Sequence, residues 1–209
     1  MTTRWMIPLA LAAAMLGGTG ALAQTSGTTS RAGDELMTAV FAGGCFWCVE
    51  EAFDKVDGVV ETTSGYTGGM VRNPSYEQVS AGGTGHAEAV RVRYDPAVVG
   101  YAELLDTFWH NVDPFDAGGQ FCDRGSSYRS AVFVGIEEEA RLAEASKQAV
   151  AARFEQPVAT EIVPAAEFYP AEDYHQNYHQ KNPFRYKFYK WNCGRAQRLE
   201  EIWGKPASS

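Results

Sequence analysis

Cys45 and Cys48 are the residues with the most reactive potential in the chain, set in Gly43-Gly44-Cys45-Phe46-Trp47-Cys48-Val49-Glu50. A thiolate is a soft nucleophile and a redox centre, and two thiols three positions apart can close a small disulfide ring. Between them stand two rigid aromatics, a bulky filling for a pair that exchanges disulfides with many proteins but a suitable wall for an apolar part of a small substrate. Two further thiols, Cys122 and Cys193, lie far away in the sequence. Zinc would need a second close pair of ligands, which is missing, and His175 and His179 lack the intervening acidic residue of the zinc-protease motif. No metal is expected.

Position matters as much as type. The run ending at Phe41 is rich in β formers and stops at Gly43-Gly44, and from Cys45 to Lys55 the apolar residues Phe46, Val49, Ala52 and Phe53 recur at helical spacing. Cys45 is therefore placed at a strand-to-helix junction, where free backbone N–H groups and the helix dipole are expected to favour a thiolate and lower its pKa.

The remaining elements follow in order. Strands are expected over 36–41, 59–66, 86–94, 128–134 and 158–163, and helices over 45–55, 101–111, 137–153 and 196–203. Two irregular segments, 67–85 and 113–127, carry Tyr76, Cys122 and Asp123. Such long loops tend to be functional. The order of elements predicts an α+β domain, a ferredoxin-like αβ sandwich with a long, largely irregular C-terminal tail.

With 209 residues and 45% apolar content the chain can bury one sizeable core, and a net charge of −8 disfavours nucleic acid as a partner. A monomer is expected. Arg4, the apolar run Trp5 to Leu16 and Ala21-Leu22-Ala23 have the layout of a secretory signal peptide cleaved after Ala23, followed by a linker over 24–35 and a single catalytic domain over 36–209. That points to an exported, periplasmic protein rather than an anchored one.

Several ordered motifs carry a family resemblance: Gly44-Cys45-Phe46-Trp47, Gly65-Tyr66-Thr67-Gly68-Gly69, Asn73-Pro74-Ser75-Tyr76, Thr84-Gly85-His86-Ala87-Glu88-Ala89-Val90, Asp123-x-Gly125-x-x-Tyr128-Arg129-Ser130 and Ala171-Glu172-Asp173-Tyr174-His175-Gln176. The sequence resembles the peptide methionine sulfoxide reductases of the A type. The resemblance implies that Cys45 attacks the sulfur of a methionine S-sulfoxide and becomes a sulfenic acid, that Glu88 supplies the proton to oxygen, and that Tyr76 and Tyr128 hydrogen-bond that oxygen. It further implies that Phe46 and Trp47 form the methyl pocket and that Asp123 organises the surroundings of the cysteine. The chemistry is consistent, because oxygen leaves a sulfoxide only once protonated and a carboxyl between Ala87 and Ala89 is expected to keep its proton.

Members of that family regenerate the nucleophile through a second thiol, commonly C-terminal. Cys193 is the first candidate here, with Cys48 and Cys122 as alternatives. No cofactor is implied, and a thioredoxin-like protein is the implied electron donor. A thiol-disulfide oxidoreductase using Cys45 and Cys48 alone, and a secreted binding module with two structural disulfides, are the rival readings.

Overall fold

Met37–Gly43 forms the central strand β1, whose inward residues Ala39, Phe41 and Ala42 are buried. The computed structural model describes residues 35–205, so the segments expected to be a signal peptide and, nearly entirely, a linker lie outside the described residues. From β1 the chain passes through helix α1 (Phe46–Phe53), strand β2 (Val59–Thr67), a short helix α2 (Tyr76–Ala81) and strand β3 (Ala87–Tyr94). Helix α3 (Tyr101–Trp109), the hairpin strands β4 (Gly119–Gln120) and β5 (Asp123–Arg124), strand β6 (Ser130–Val134), the long helix α4 (Glu137–Phe154) and strands β7 (Glu161–Pro164) and β8 (Tyr169–Pro170) follow. Three helices close the described chain: α5 (Tyr178–Lys181), α6 (Pro183–Asn192) and α7 (Arg195–Trp203).

Six strands make one sheet in the order β7-β6-β1-β3-β2-β8. Its inner four, β6-β1-β3-β2, are antiparallel throughout, with Phe41 opposite Val90 and Tyr66 opposite Glu88. This is the split βαβ arrangement expected for a ferredoxin-like core. β7 extends it in parallel to β6 after the α4 crossover, the connection length such pairing requires.

The main core joins Phe41, Val90, Val92 and Val132 of the sheet to Phe46, Val49 and Phe53 of α1 and Leu104, Leu105 and Phe108 of α3. Phe41 stacks on Phe53 at 4.8 Å and on Phe108 at 5.4 Å. A second cluster is built mostly from small side chains of the sheet, Ala42, Ala87, Ala89 and Ala131, with Phe133 and the partly buried Val40, Val163 and Phe168 packed on them. Alanines there let the tail lie close against the strands.

Apolar spacing predicts one helix in the tail, 196–203, and none in the segment 67–85. In the structure the tail is irregular only to residue 177 apart from β8, and α2 interrupts the earlier loop. α2 is held by a reciprocal cap: Gln78 N–H donates to Ser75 Oγ, and Ser75 N–H donates to Gln78 Oε1. α6 opens with Pro183 at its first turn, where no N–H is missed.

Candidate active site

β1 ends in Gly43-Gly44 and turns directly into α1. Gly44 has φ +83°, and a Cβ there would lie 2.5 Å from Gln120 Cβ, so only glycine lets the chain make this corner. The buried Gln120 is itself fixed by Asp113, accepting from its N–H and donating to its carbonyl, each at 2.8 Å. Cys45 thus sits immediately before the first turn of α1.

The neighbouring strand β3 brings Glu88 to the same corner, where Phe46 N–H donates to Glu88 Oε2 at 3.0 Å. Burial pushes the Glu88 carboxyl up to about 8; the Phe46 N–H opposes this, and the charges of Asp123 and Cys48 add to it. The carboxyl therefore holds its proton at neutral pH.

Cys45, Phe46, Trp47, Tyr76, Glu88, Asp123, Tyr128 and Tyr189 line one cavity of about 70 Å³. Every residue named from the sequence as nucleophile, acid, phenol, aspartate or pocket wall lies on it. Tyr76 enters from α2, its N–H donating to Glu172 Oε1 at 2.9 Å, while the other oxygen of Glu172 accepts from the Tyr66 hydroxyl at 2.8 Å. Tyr128 closes the single 3₁₀ turn Ser126–Tyr128 that leads into β6. Burial and the charge of Glu88 raise the pKa of both phenols, so both remain hydrogen-bond donors.

The aromatic wall is braced from behind. Trp47 Nε1 donates to His175 Nδ1 at 3.1 Å, and its ring stacks on Tyr178 at 3.7 Å. Burial lowers the His175 pKa, so the imidazole is neutral and can accept that bond. His179 is turned away from this wall, its Nε2 3.4 Å from Asp54 Oδ2 and its Nδ1 3.9 Å from the buried Glu50.

Three residues carry weight that the sequence did not assign. Tyr189 donates to Asp123 Oδ2 at 2.5 Å and favours the ionised form of Cys45 by hydrogen bonding. His175 and Glu172 hold Trp47 and Tyr76. The last two fall within a matched motif and could have been singled out there; Tyr189 lies in Lys187-Phe188-Tyr189-Lys190-Trp191, where aromatics point both ways and no periodicity marks one of them.

The thiols separate into two pairs. Cys122 and Cys193 are bonded, with Cα atoms 4.9 Å apart across a sequence separation of 71. Cys45 and Cys48 are free and buried. Among the described residues one disulfide is present, not the two of a stapled binding module.

The expectation that the start of α1 would lower the Cys45 pKa is overturned. Burial pushes it well up, the hydrogen bond and charge of Cys48 add to this, and only Tyr189 opposes. The first N–H of α1 is taken up by Glu88 and is not available to the Cys45 sulfur. For Cys48 the shift runs the other way: its hydrogen bond with Cys45 pulls the pKa down against burial, helped by Arg195, Tyr186 and Lys190, so the two thiols titrate as one pair.

A buried thiol beside a protonated carboxyl, two donor phenols and an aromatic wall define a thiol-based reductase acting on an oxygen-bearing group. The family model "Peptide methionine sulfoxide reductase" matches residues 37–207, and the chain belongs to that family. It is 48% identical over 169 residues to "Peptide methionine sulfoxide reductase MsrA" of Bacillus licheniformis, covering 80% of this chain and 93% of the relative. Among solved structures it resembles reduced Mxr1 from Saccharomyces cerevisiae, with TM-score 0.68, 33% identity and 71% and 87% of the two chains covered. A second structure of that yeast protein, in complex with Trx2, matches with TM-score 0.51 and 25% identity over 69% and 85% of the chains. The activity is thiol-dependent reduction of methionine sulfoxide to methionine, as a peptide-methionine (S)-S-oxide reductase.

Proposed function

We propose that Cys45 is the nucleophile and Glu88 the acid of this reaction, a reading carried by one observation: the cavity holds the Cys45 sulfur beside a carboxyl that burial keeps protonated. The substrate sulfur would lie against Cys45, its methyl group on Phe46 and Trp47, and its oxygen toward Glu88, Tyr76 and Tyr128. As Cys45 attacks, its proton passes to the Cys48 thiolate and the Glu88 proton goes to the sulfoxide oxygen. Oxygen transfer then leaves methionine, a sulfenic acid on Cys45, a Cys48 thiol and a Glu88 carboxylate. The phenols stabilise charge developing on oxygen, and Asp123 holds Tyr189 over the cysteine.

Cys48 is the thiol best placed to resolve the sulfenic acid, because it is free and shares a proton with Cys45, whereas Cys193 is bonded to Cys122. Its attack on Cys45 releases water and forms a Cys45–Cys48 disulfide. Electrons come from a thioredoxin-like protein, a reading supported by the yeast relative's complex with Trx2. We further read the chain as a monomer that binds no nucleic acid and needs no cofactor or metal. The amino-terminal layout supports export to the periplasm with cleavage near Ala23, which amino-terminal sequencing of the mature protein would test.

The decisive experiment is turnover of the two methionine sulfoxide epimers by wild type and Cys45→Ser. Reduction of the S epimer by wild type alone is expected. Turnover of the R epimer only, or activity surviving the substitution, would overturn the assignment.

A further inference from the structure

Helix α1 is gripped on two sides. Toward α6 it turns Glu51, which accepts from the Tyr186 hydroxyl and from Lys190 Nζ, each at 2.5 Å. Toward α5 it turns Trp47, Glu50 and Asp54, whose spacing of three and then four residues sets them in one row. Trp47 stacks on Tyr178 at 3.7 Å. Further along the row His179 stands between the two carboxylates, with Nδ1 3.9 Å from Glu50 Oε2 and Nε2 3.4 Å from Asp54 Oδ2. None of these three residues lines the substrate cavity.

Glu50 is fully buried, and neither of its carboxylate oxygens has a hydrogen-bond partner among the described residues; the same holds for Asp54 Oδ2, Ser64 Oγ and His179 Nδ1 around it. A buried carboxylate is tolerated when it takes up a proton or faces a matching charge. Burial pushes the Glu50 carboxyl up to about 7 and the charge of Asp54 adds to this, offset in part by the nearby Asn177 and Tyr178 N–H groups and the Ser64 hydroxyl, none of which reaches hydrogen-bond geometry. α5 itself is four residues long with none fully buried, too short to keep its shape unaided. The chain enters it through Asn177, at φ +53°, just after Gln176 is tied to the backbone of Ser64 by two bonds of 2.9 Å. Those bonds fix where α5 begins; the row on α1 fixes how it lies.

We propose that Glu50, Asp54 and His179 are positioning residues for substrate selection, keying α5 onto α1 so that Tyr178 stays stacked on Trp47 and the methyl pocket keeps its width. This rests on the reading of Phe46 and Trp47 as that pocket. His179 can serve both carboxylates at once only with one proton between Nε2 and Asp54 and another between Nδ1 and Glu50. Whether Glu50 or Nδ1 holds the second proton, the contact is attractive; its loss leaves two buried carboxylates at one imidazole and weakens the seat of α5. The ionisable groups facing Glu50 are Asp54 from α1 and His179 from α5, while β2 supplies the Ser64 hydroxyl and the Thr62 hydroxyl, which donates to Asp54 Oδ1 at 2.6 Å. The neighbouring Glu51 is engaged by Lys55 and Lys190. A metal ion fits the cluster poorly, because His179 turns different nitrogens to the two carboxylates.

The test compares kcat/KM for methionine S-sulfoxide with kcat/KM for ethionine S-sulfoxide, one methylene larger, using dithiothreitol as reductant. A ratio of two substrates on one enzyme cancels any loss of folded protein and the ionisations of the thiols and Glu88. Wild type is expected to prefer methionine sulfoxide by about tenfold or more. His179→Ala should lower that ratio severalfold, and His179→Asn, which keeps a donor near the Nδ1 position, should recover part of it. Glu50 is protonated below about 7, so the wild-type ratio should be fully present there and fall as pH rises through that value, whereas Glu50→Gln, a stand-in for the protonated acid, should keep a level ratio. An unchanged ratio in His179→Ala, or a ratio in Glu50→Gln that falls with pH as in wild type, would overturn the proposal. A wild type that does not discriminate between the two sulfoxides would instead count against the methyl-pocket reading itself.

Discussion

Cys45 and Cys48 stand three residues apart at the start of α1 and keep free thiols in the interior, whereas Cys122 and Cys193, separated by 71 residues, are bonded at the surface. The two pairs use the same atoms for different tasks, and their surroundings decide which. Around the inner pair, burial raises one thiol while hydrogen bonding and the Arg195 and Lys190 charges lower the other, so a single proton is shared. Around the outer pair, α6 and the β4–β5 hairpin bring distant sulfurs within bonding range, next to an aspartate. Proximity in sequence sets the inner pair side by side; proximity in space closes the outer bond.

Removing the inner nucleophile should have the largest effect. Cys45→Ser is expected to lower kcat/KM by at least about a thousandfold. Cys48→Ser should still release one methionine per protein molecule in a single-turnover assay while losing sustained turnover. If sustained turnover survives in Cys48→Ser and disappears in Cys193→Ser, the roles assigned to the two pairs are reversed.

Opening the outer pair should act first on stability. A cross-link across 71 residues restricts the unfolded chain by roughly 4 kcal/mol in the chain-entropy account. Cys122→Ser with Cys193→Ser should therefore lower the denaturation midpoint while single-turnover chemistry continues, as urea titration and rapid-quench assay would record.

Glu88→Gln keeps a hydrogen-bonding side chain but cannot deliver a proton, and a fall in kcat of about a hundredfold is expected from loss of general acid catalysis. The pH profile carries a related signature. Activity needs the thiol pair ionised and Glu88 protonated, with its pKa at about 8, so kcat/KM should rise as the lowered Cys48 thiol ionises and fall through the Glu88 value. One pH unit beyond either limb costs about tenfold.

The same carboxyl affects stability with a definite sign. Its folded pKa lies above the unfolded value, so between about 4.3 and about 8 the folded state holds a proton that the unfolded state gives up. Its contribution to stability therefore declines as pH rises across that window, and Glu88→Gln should flatten the decline. The smallest effect is reserved for Tyr189→Phe, which keeps the ring and removes the hydroxyl beside Cys45. A severalfold loss in kcat is expected, with the thiol limb of the profile displaced upward in pH.

The strand-to-helix corner was legible because it is local. Gly43-Gly44 stops β1, the period of Phe46, Val49 and Phe53 starts α1, and Ala87-Glu88-Ala89 marks a strand with a carboxyl among small residues. α6 was illegible for an equally physical reason. Tyr186 and Tyr189 face inward while Phe184, Phe188 and Trp191 face out, so its apolar residues encircle the helix and no single stripe stands out. α2 was hidden by the turn-forming residues around it, although Ser75 and Gln78 spell its cap.

By itself the sequence determined the kit of groups and half of their placement: a thiol at a helix start, an acid in a strand, phenols in two loops, aromatics beside the nucleophile. Tertiary structure alone decided which thiols are bonded, that burial raises the pKa of Cys45, and that Tyr189 completes the cavity. Protonation and disulfide pairing depend on burial and on distances of a few ångströms, and those are set by segments that meet only when the tail, from Glu172 to Arg195, folds back onto α1 and the β4–β5 hairpin.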